Sequence, residues 1–126
     1  MADQELHYSD VTSYAKQLVN WLNHARDYGI LTETDMNGLS TRALLRAAVV
    51  AHVVPGITGD AENIQREFLK VWDRGVAYNA VTDADVLDAG DELSGARIPR
   101  LTTLIAARTA PDTVSGTTSN SFAFQA

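Results

Sequence analysis

The stretch Thr41 to Val54, TRALLRAAVVAHVV, decides how this chain is read. After the opening Thr-Arg pair its only clearly polar members are Arg46 and His52. A helix apolar on nearly every side has to be wrapped by the rest of the chain or by a neighbour. It is shorter than the about 20 predominantly apolar residues that cross a bilayer. The expectation is therefore the central helix of a small domain, capped by Ser40 or Thr41 and stopped by Pro55-Gly56.

On its N-terminal side, Val11, Tyr14, Leu18, Trp21, Leu22, Ala25 and Tyr28 recur at spacings of three and four. That is one face of a helix, predicted over 9–28 after a polar lead-in at 1–8, with Ser9 or Asp10 as its cap and Gly29 as its left-handed C-cap. Residues 30–39 form a connection, with turn chemistry at Asn37-Gly38 and a single helical turn starting at Thr32, three residues before Asp35.

On the C-terminal side, Asp60 opens a third helix over 60–77, with Glu62 favouring the positive end of the helix dipole. Ile64, Phe68, Val71, Trp72 and Gly75 mark its buried face. Thr82 and Asp85 have the spacing of a capping box, opening a short helix through Val86, Leu87 and Leu93 that Gly90 weakens and Ser94-Gly95 closes. Pro99 suits the first position of a last short helix that buries Ile98, Leu101, Leu104 and Ile105. No internal repeat is evident.

From Thr109 onward the chain is rich in Thr, Ser and Gly, and its only large apolar anchors are Val114, Phe122 and Phe124. Such a segment does not bury enough surface to fold alone. The expected fold is thus all-α: a small bundle of three main helices and two short ones over 1–108, followed by an extended polar tail over 109–126, with Val114, Phe122 and Phe124 as its subunit contacts.

Composition narrows the function classes. At 126 residues the chain is one domain's worth, and without cysteine it has neither disulfides nor a thiol nucleophile. Ten basic residues against sixteen acidic ones give a formal net charge of -6, which opposes non-specific binding to nucleic acid or an anionic membrane. No basic region followed by an apolar run opens the chain, so the expected location is the cytoplasm or a particle assembled there, such as a virion.

The chemistry-bearing residues have plain structural readings. Glu33, Asp35, Asn37 and Gly38 resemble the first half of a calcium loop, but Leu44 stands where the bidentate carboxylate would be. His7, His24 and His52 lack metal-ligand spacing, and no nucleophile elbow or phosphate loop is present, so neither metal nor cofactor is expected. His52 reads as a hydrogen-bonded core or interface histidine. Asp83, Asp85, Asp88, Asp91 and Glu92 read as an acidic face for a basic partner. Arg97, Arg100 and Arg108 are its possible counter-face on another copy, suiting head-to-tail association.

Three functions stand open at this point. A non-enzymatic assembly subunit, using its tail and apolar helix for contacts between subunits, fits the missing catalytic machinery. An acidic binding or inhibitory module, such as an antitoxin, immunity-type protein or nucleic-acid mimic, fits the acidic run. An enzyme using carboxylates in a helical pocket is the third.

Overall fold

A computed structural model of the chain describes residues 2–52 and 60–109, with side chains from residue 10 onward. Among the described residues six helices follow one another: α1 (Ala2–Asp27), α2 (Glu33–Met36), α3 (Arg42–Ala51), α4 (Asp60–Ala77), α5 (Asp83–Gly90) and α6 (Arg97–Ala106). A 3-10 turn, Ala107–Thr109, follows the last. The described residues contain no strand, and the fold is all-α. The Pro55-Gly56 stop, Val53 and Val54, and the tail residues Val114, Phe122 and Phe124 lie outside the described residues.

Several boundaries differ from the sequence expectation for identifiable reasons. The first helix begins at Ala2 instead of being capped at Ser9 or Asp10. Residues 2–8 contain no glycine or proline and include the good helix formers Ala, Gln, Glu and Leu, so nothing stops the helix from extending. The last helix starts at Arg97, two residues before Pro99. Proline is tolerated there because first-turn N–H groups have no intrahelical acceptor.

The core is built on the pairing of α1 with α4. Ala15, Leu18, Leu22 and Ala25 from α1 meet Phe68, Val71 and Trp72 from α4. Gly75 permits the close approach, since a Cβ there would stand 2.5 Å from Leu18 Cδ1. Ile98, Leu101 and Ile105 bring α6 onto α1. With α1 covered by α4 and α6, α3 is left to lean on α4, α2 and α5. The Thr41 stretch is therefore peripheral instead of sandwiched: Leu45 and Val49 are buried, while its other face is open.

The backbone also reveals an internal repeat. Each half runs long helix, short helix, third helix: α1, α2, α3, then α4, α5, α6. Tyr28 to Met36, YGILTETDM, and Tyr78 to Val86, YNAVTDADV, are fifty positions apart and share Tyr, Thr and Asp in register. At the end of α1, the N–H groups of Tyr28, Gly29 and Ile30 donate to His24, Arg26 and Ala25. At the end of α4, those of Tyr78, Asn79 and Ala80 donate to Arg74, Val76 and Gly75, the same ladder. Gly29 has φ of 73° and Asn79 of 59°, both left-handed, where glycine and asparagine are the tolerated residues. Thr32 with Asp35 and Thr82 with Asp85 each close a reciprocal capping box. The repeat escapes the eye because α2 is one turn and α5 two, which shifts the third helices to a different offset.

Gly90 has a role beyond weakening α5. A Cβ there would lie 2.5 Å from the Leu39 carbonyl oxygen and 2.9 Å from its nitrogen. The Gly38 N–H donates to the Gly90 carbonyl at 3.0 Å across this approach. Only glycine lets the two backbones come so near.

Candidate interaction surface

The two halves are tied by carboxylates that cross between them. Glu33, the first residue of α2, accepts hydrogen bonds from the backbone N–H groups of Gly95, Arg97 and Ile98, each at 2.8 Å, at the start of α6. Asp83, the first residue of α5, accepts from the Arg42 N–H at 2.9 Å, at the start of α3. Each half thus caps the other half's third helix, satisfying N–H groups that no intrahelical acceptor reaches. The arginines reciprocate. Arg97 Nη1 donates to the Glu33 carbonyl at 2.7 Å, and Arg42 Nη1 to the Val81 carbonyl at 3.1 Å.

These contacts set the carboxylate protonation. Burial works against ionisation of Glu33, yet the N–H groups of Ile98, Arg97 and Gly95, with the Arg97 charge, outweigh it and hold its pKa below the ordinary range. Asp83 is lowered by the backbone N–H and guanidinium of Arg42. Asp73 is lowered by its hydrogen bonds with Arg46, and Asp88 by those with Arg100.

The acidic run and the late arginines are brought together within one chain. Asp88 forms a two-pronged pair with Arg100, at 3.1 and 2.9 Å. Glu92 lies 4.0 Å from the same guanidinium. Asp85 is buried in its capping box and receives Arg108 Nη1 at 2.6 Å. Arg97 is occupied by the carbonyls of Glu33 and Glu92. The calcium-loop carboxylates are likewise engaged, Glu33 as a cap and Asp35 with Thr32 and His52. His52 Nε2 sits 2.7 Å from Asp35 Oδ2, so the histidine is hydrogen-bonded as expected, but it is half-buried instead of in the core. Among the described residues no group of three His, Asp or Glu side chains could hold a metal ion.

The outward side of α3 is largely apolar. Ala43, Leu44, Ala47, Val50 and Ala51 are exposed along α3, Leu44 to 48% and Val50 to 40%. Beside them a hollow of about 410 Å³ opens between α3 and α4, lined by Arg42, Ala43, Arg46, Trp72, Val76 and Asp83 among others. Arg46 reaches Asp73 at 2.7 and 2.9 Å along its rim. Past the far end of α5 Leu93 is 80% exposed, and within α5 Leu87 is 50% exposed. The sequence expectation runs this short helix through Leu93, but α5 ends at Gly90 and Leu93 follows it outside the helix.

No protein-family model, curated protein or solved structure matches this chain. No helix among the described residues is long and apolar enough to cross a membrane.

Proposed function

We propose that the chain is a non-enzymatic assembly subunit that joins a multi-subunit particle through the outer face of α3. The observation that carries this reading is the exposed row Ala43, Leu44, Ala47, Val50 and Ala51 on a helix whose opposite side is packed. An apolar row of this kind, outside the core and rimmed by polar groups, is the usual mark of a surface that meets another protein. The repeat sharpens the point. Aligning buried Leu45 and Val49 with buried Leu101 and Ile105 sets Leu44 against Arg100 and Ala47 against Thr103. Those two positions are polar in the second half, so folding does not demand an apolar residue at either, while Ala43, Val50 and Ala51 fall on Pro99, Ala106 and Ala107. In this reading Val114, Phe122 and Phe124 of the tail add a second contact.

The acidic-module alternative has less to stand on, because Asp83, Asp85 and Asp88 already hold arginines of their own chain. Light scattering across a concentration series tests the proposal. The full chain should show a mass that rises above the monomer, and Leu44→Glu with Val50→Glu should return it to the monomer with helix content unchanged. A wild-type chain that stays monomeric at every concentration overturns the reading.

A further inference from the structure

We propose that Asn37 is a covalent modification site: it deamidates through a succinimide, and the contact between the two halves of the molecule controls when it does so. The site is independent of the assembly reading.

The reactive pair is in the sequence. Asn37-Gly38 is the one Asn-Gly step in the chain, and both residues are exposed. Ring closure starts when the Gly38 nitrogen gives up its proton and attacks Asn37 Cγ, an approach that glycine, lacking a Cβ, does not obstruct. A C–N bond forms, the Cγ–Nδ2 bond breaks, and ammonia leaves with the proton. Water then opens the succinimide at either of its carbonyls, leaving aspartate or isoaspartate. Water is the only co-reactant.

The restraint is in the structure. Met36 to Leu39 form a type II turn: Asn37 has φ -60° and ψ 112°, Gly38 has φ 74°, and the Leu39 N–H donates to the Met36 carbonyl at 3.1 Å. The five-membered ring needs the Gly38 nitrogen and the Asn37 Cβ eclipsed about the Cα–C bond, and at this ψ they stand far apart. Closing the ring therefore means rotating the peptide plane between Asn37 and Gly38. That plane carries the N–H that Gly38 donates to the Gly90 carbonyl at 3.0 Å, across the two halves. Leu39, the next residue, has its backbone pressed against Gly90 on the same approach. The reactive conformation and the contact exclude each other, so the reaction waits for the turn to leave Gly90. The product also returns poorly. Asn37 is the C-cap of α2, where a new carboxylate is repelled by the last carbonyls of the helix, and isoaspartate lengthens the backbone of the turn.

The test is peptide mapping by mass spectrometry of the full chain after incubation at mildly alkaline pH, with and without denaturing urea. In urea Asn37 should be the first asparagine converted. In buffer its rate should be about tenfold lower or less, the factor set by one backbone hydrogen bond that must first open. Asn79, in the left-handed turn of the second half but followed by Ala80, should keep its amide while Asn37 converts. Below the unfolding midpoint, hydrogen exchange at the Gly38 amide and conversion of Asn37 should rise together as urea is added. Gly90→Ala, at temperatures where circular dichroism shows it folded, should convert faster than the wild type. Another asparagine reacting first in urea overturns the site. Equal rates in buffer and urea, or a Gly38 amide that exchanges freely while Asn37 stays intact, overturn the control by the fold. A folded Gly90→Ala that converts no faster than the wild type overturns the role of the contact between halves.

Discussion

The two halves of this molecule share an order of helices, a turn and a capping box, yet their third helices are spent differently. In the second half α6 is drawn onto α1 and α5, and its outer side carries Arg100, paired with Asp88, and Thr103. In the first half α3 touches α4, α2 and α5 and leaves Leu44, Ala47 and Val50 to the outside. A repeated fold gives a control inside the molecule: a feature present in both halves serves the fold, and a feature in only one is free to serve something else. The capping boxes belong to the first kind and the apolar face of α3 to the second.

The largest effect should come from the closest backbone approach, which has no counterpart in the first half. Gly90→Ala sets a methyl against the Leu39 backbone, where no side chain can move aside. It should destabilise by about 3 kcal/mol, as overpacking does at its upper end, visible as a lower midpoint in urea. Second come the crossed caps. Glu33→Ala strips the acceptor from three N–H groups and should cost about 1 to 2 kcal/mol, discounted because water reaches part of the site. Asp83→Ala, which removes the acceptor of a single backbone N–H at an exposed site, should shift the same midpoint less. Equal shifts would mean that the two caps are energetically alike despite their geometry.

Acid should erase that cap. The pKa of Glu33 is depressed in the folded chain, so its contribution is present above the unfolded value and is lost as pH falls through the folded one. The stability gap between wild type and Glu33→Gln, measured by chemical denaturation, should be constant near neutrality. It should then shrink below about pH 4.3, where the unfolded carboxyl begins to bind a proton.

Smaller effects test whether residues can be exchanged between halves. Gly75→Ala gives α4 the residue that α1 carries at Ala25, and the only obstruction is the mobile end of Leu18, so about 1 kcal/mol should be lost. At the paired left-handed turns, Gly29→Ala should cost about 1 kcal/mol. Gly29→Asn, borrowing the residue used at Asn79, should cost clearly less in the same melting experiment.

Much of the helical layout was legible because periodicity and caps are local. Residues 60–77 and both Thr-x-x-Asp boxes are read from neighbours three and four positions away. The peripheral place of α3 was not legible, since the apolar content of TRALLRAAVV is the same whether its outer side meets the core or a neighbour. The crossed caps were equally hidden: Glu33 and Ile98 are 65 residues apart, and a carboxylate at the start of a short helix also suits that helix's own dipole. The short helix was expected to run through Leu93 because the apolar spacing continues past Gly90, whereas α5 stops at that glycine. The internal repeat was masked by a short helix that differs by one turn between the halves.

The crossed carboxylates have a consequence for how the molecule opens. Releasing either half exposes the first N–H groups of a helix in the other, so partial unfolding of one half is penalised in both. Amide hydrogens at Arg42, Arg97 and Ile98 should therefore exchange with solvent only through the global opening of the chain, at rates matching those of the buried α1 and α4 amides instead of those of frayed helix ends.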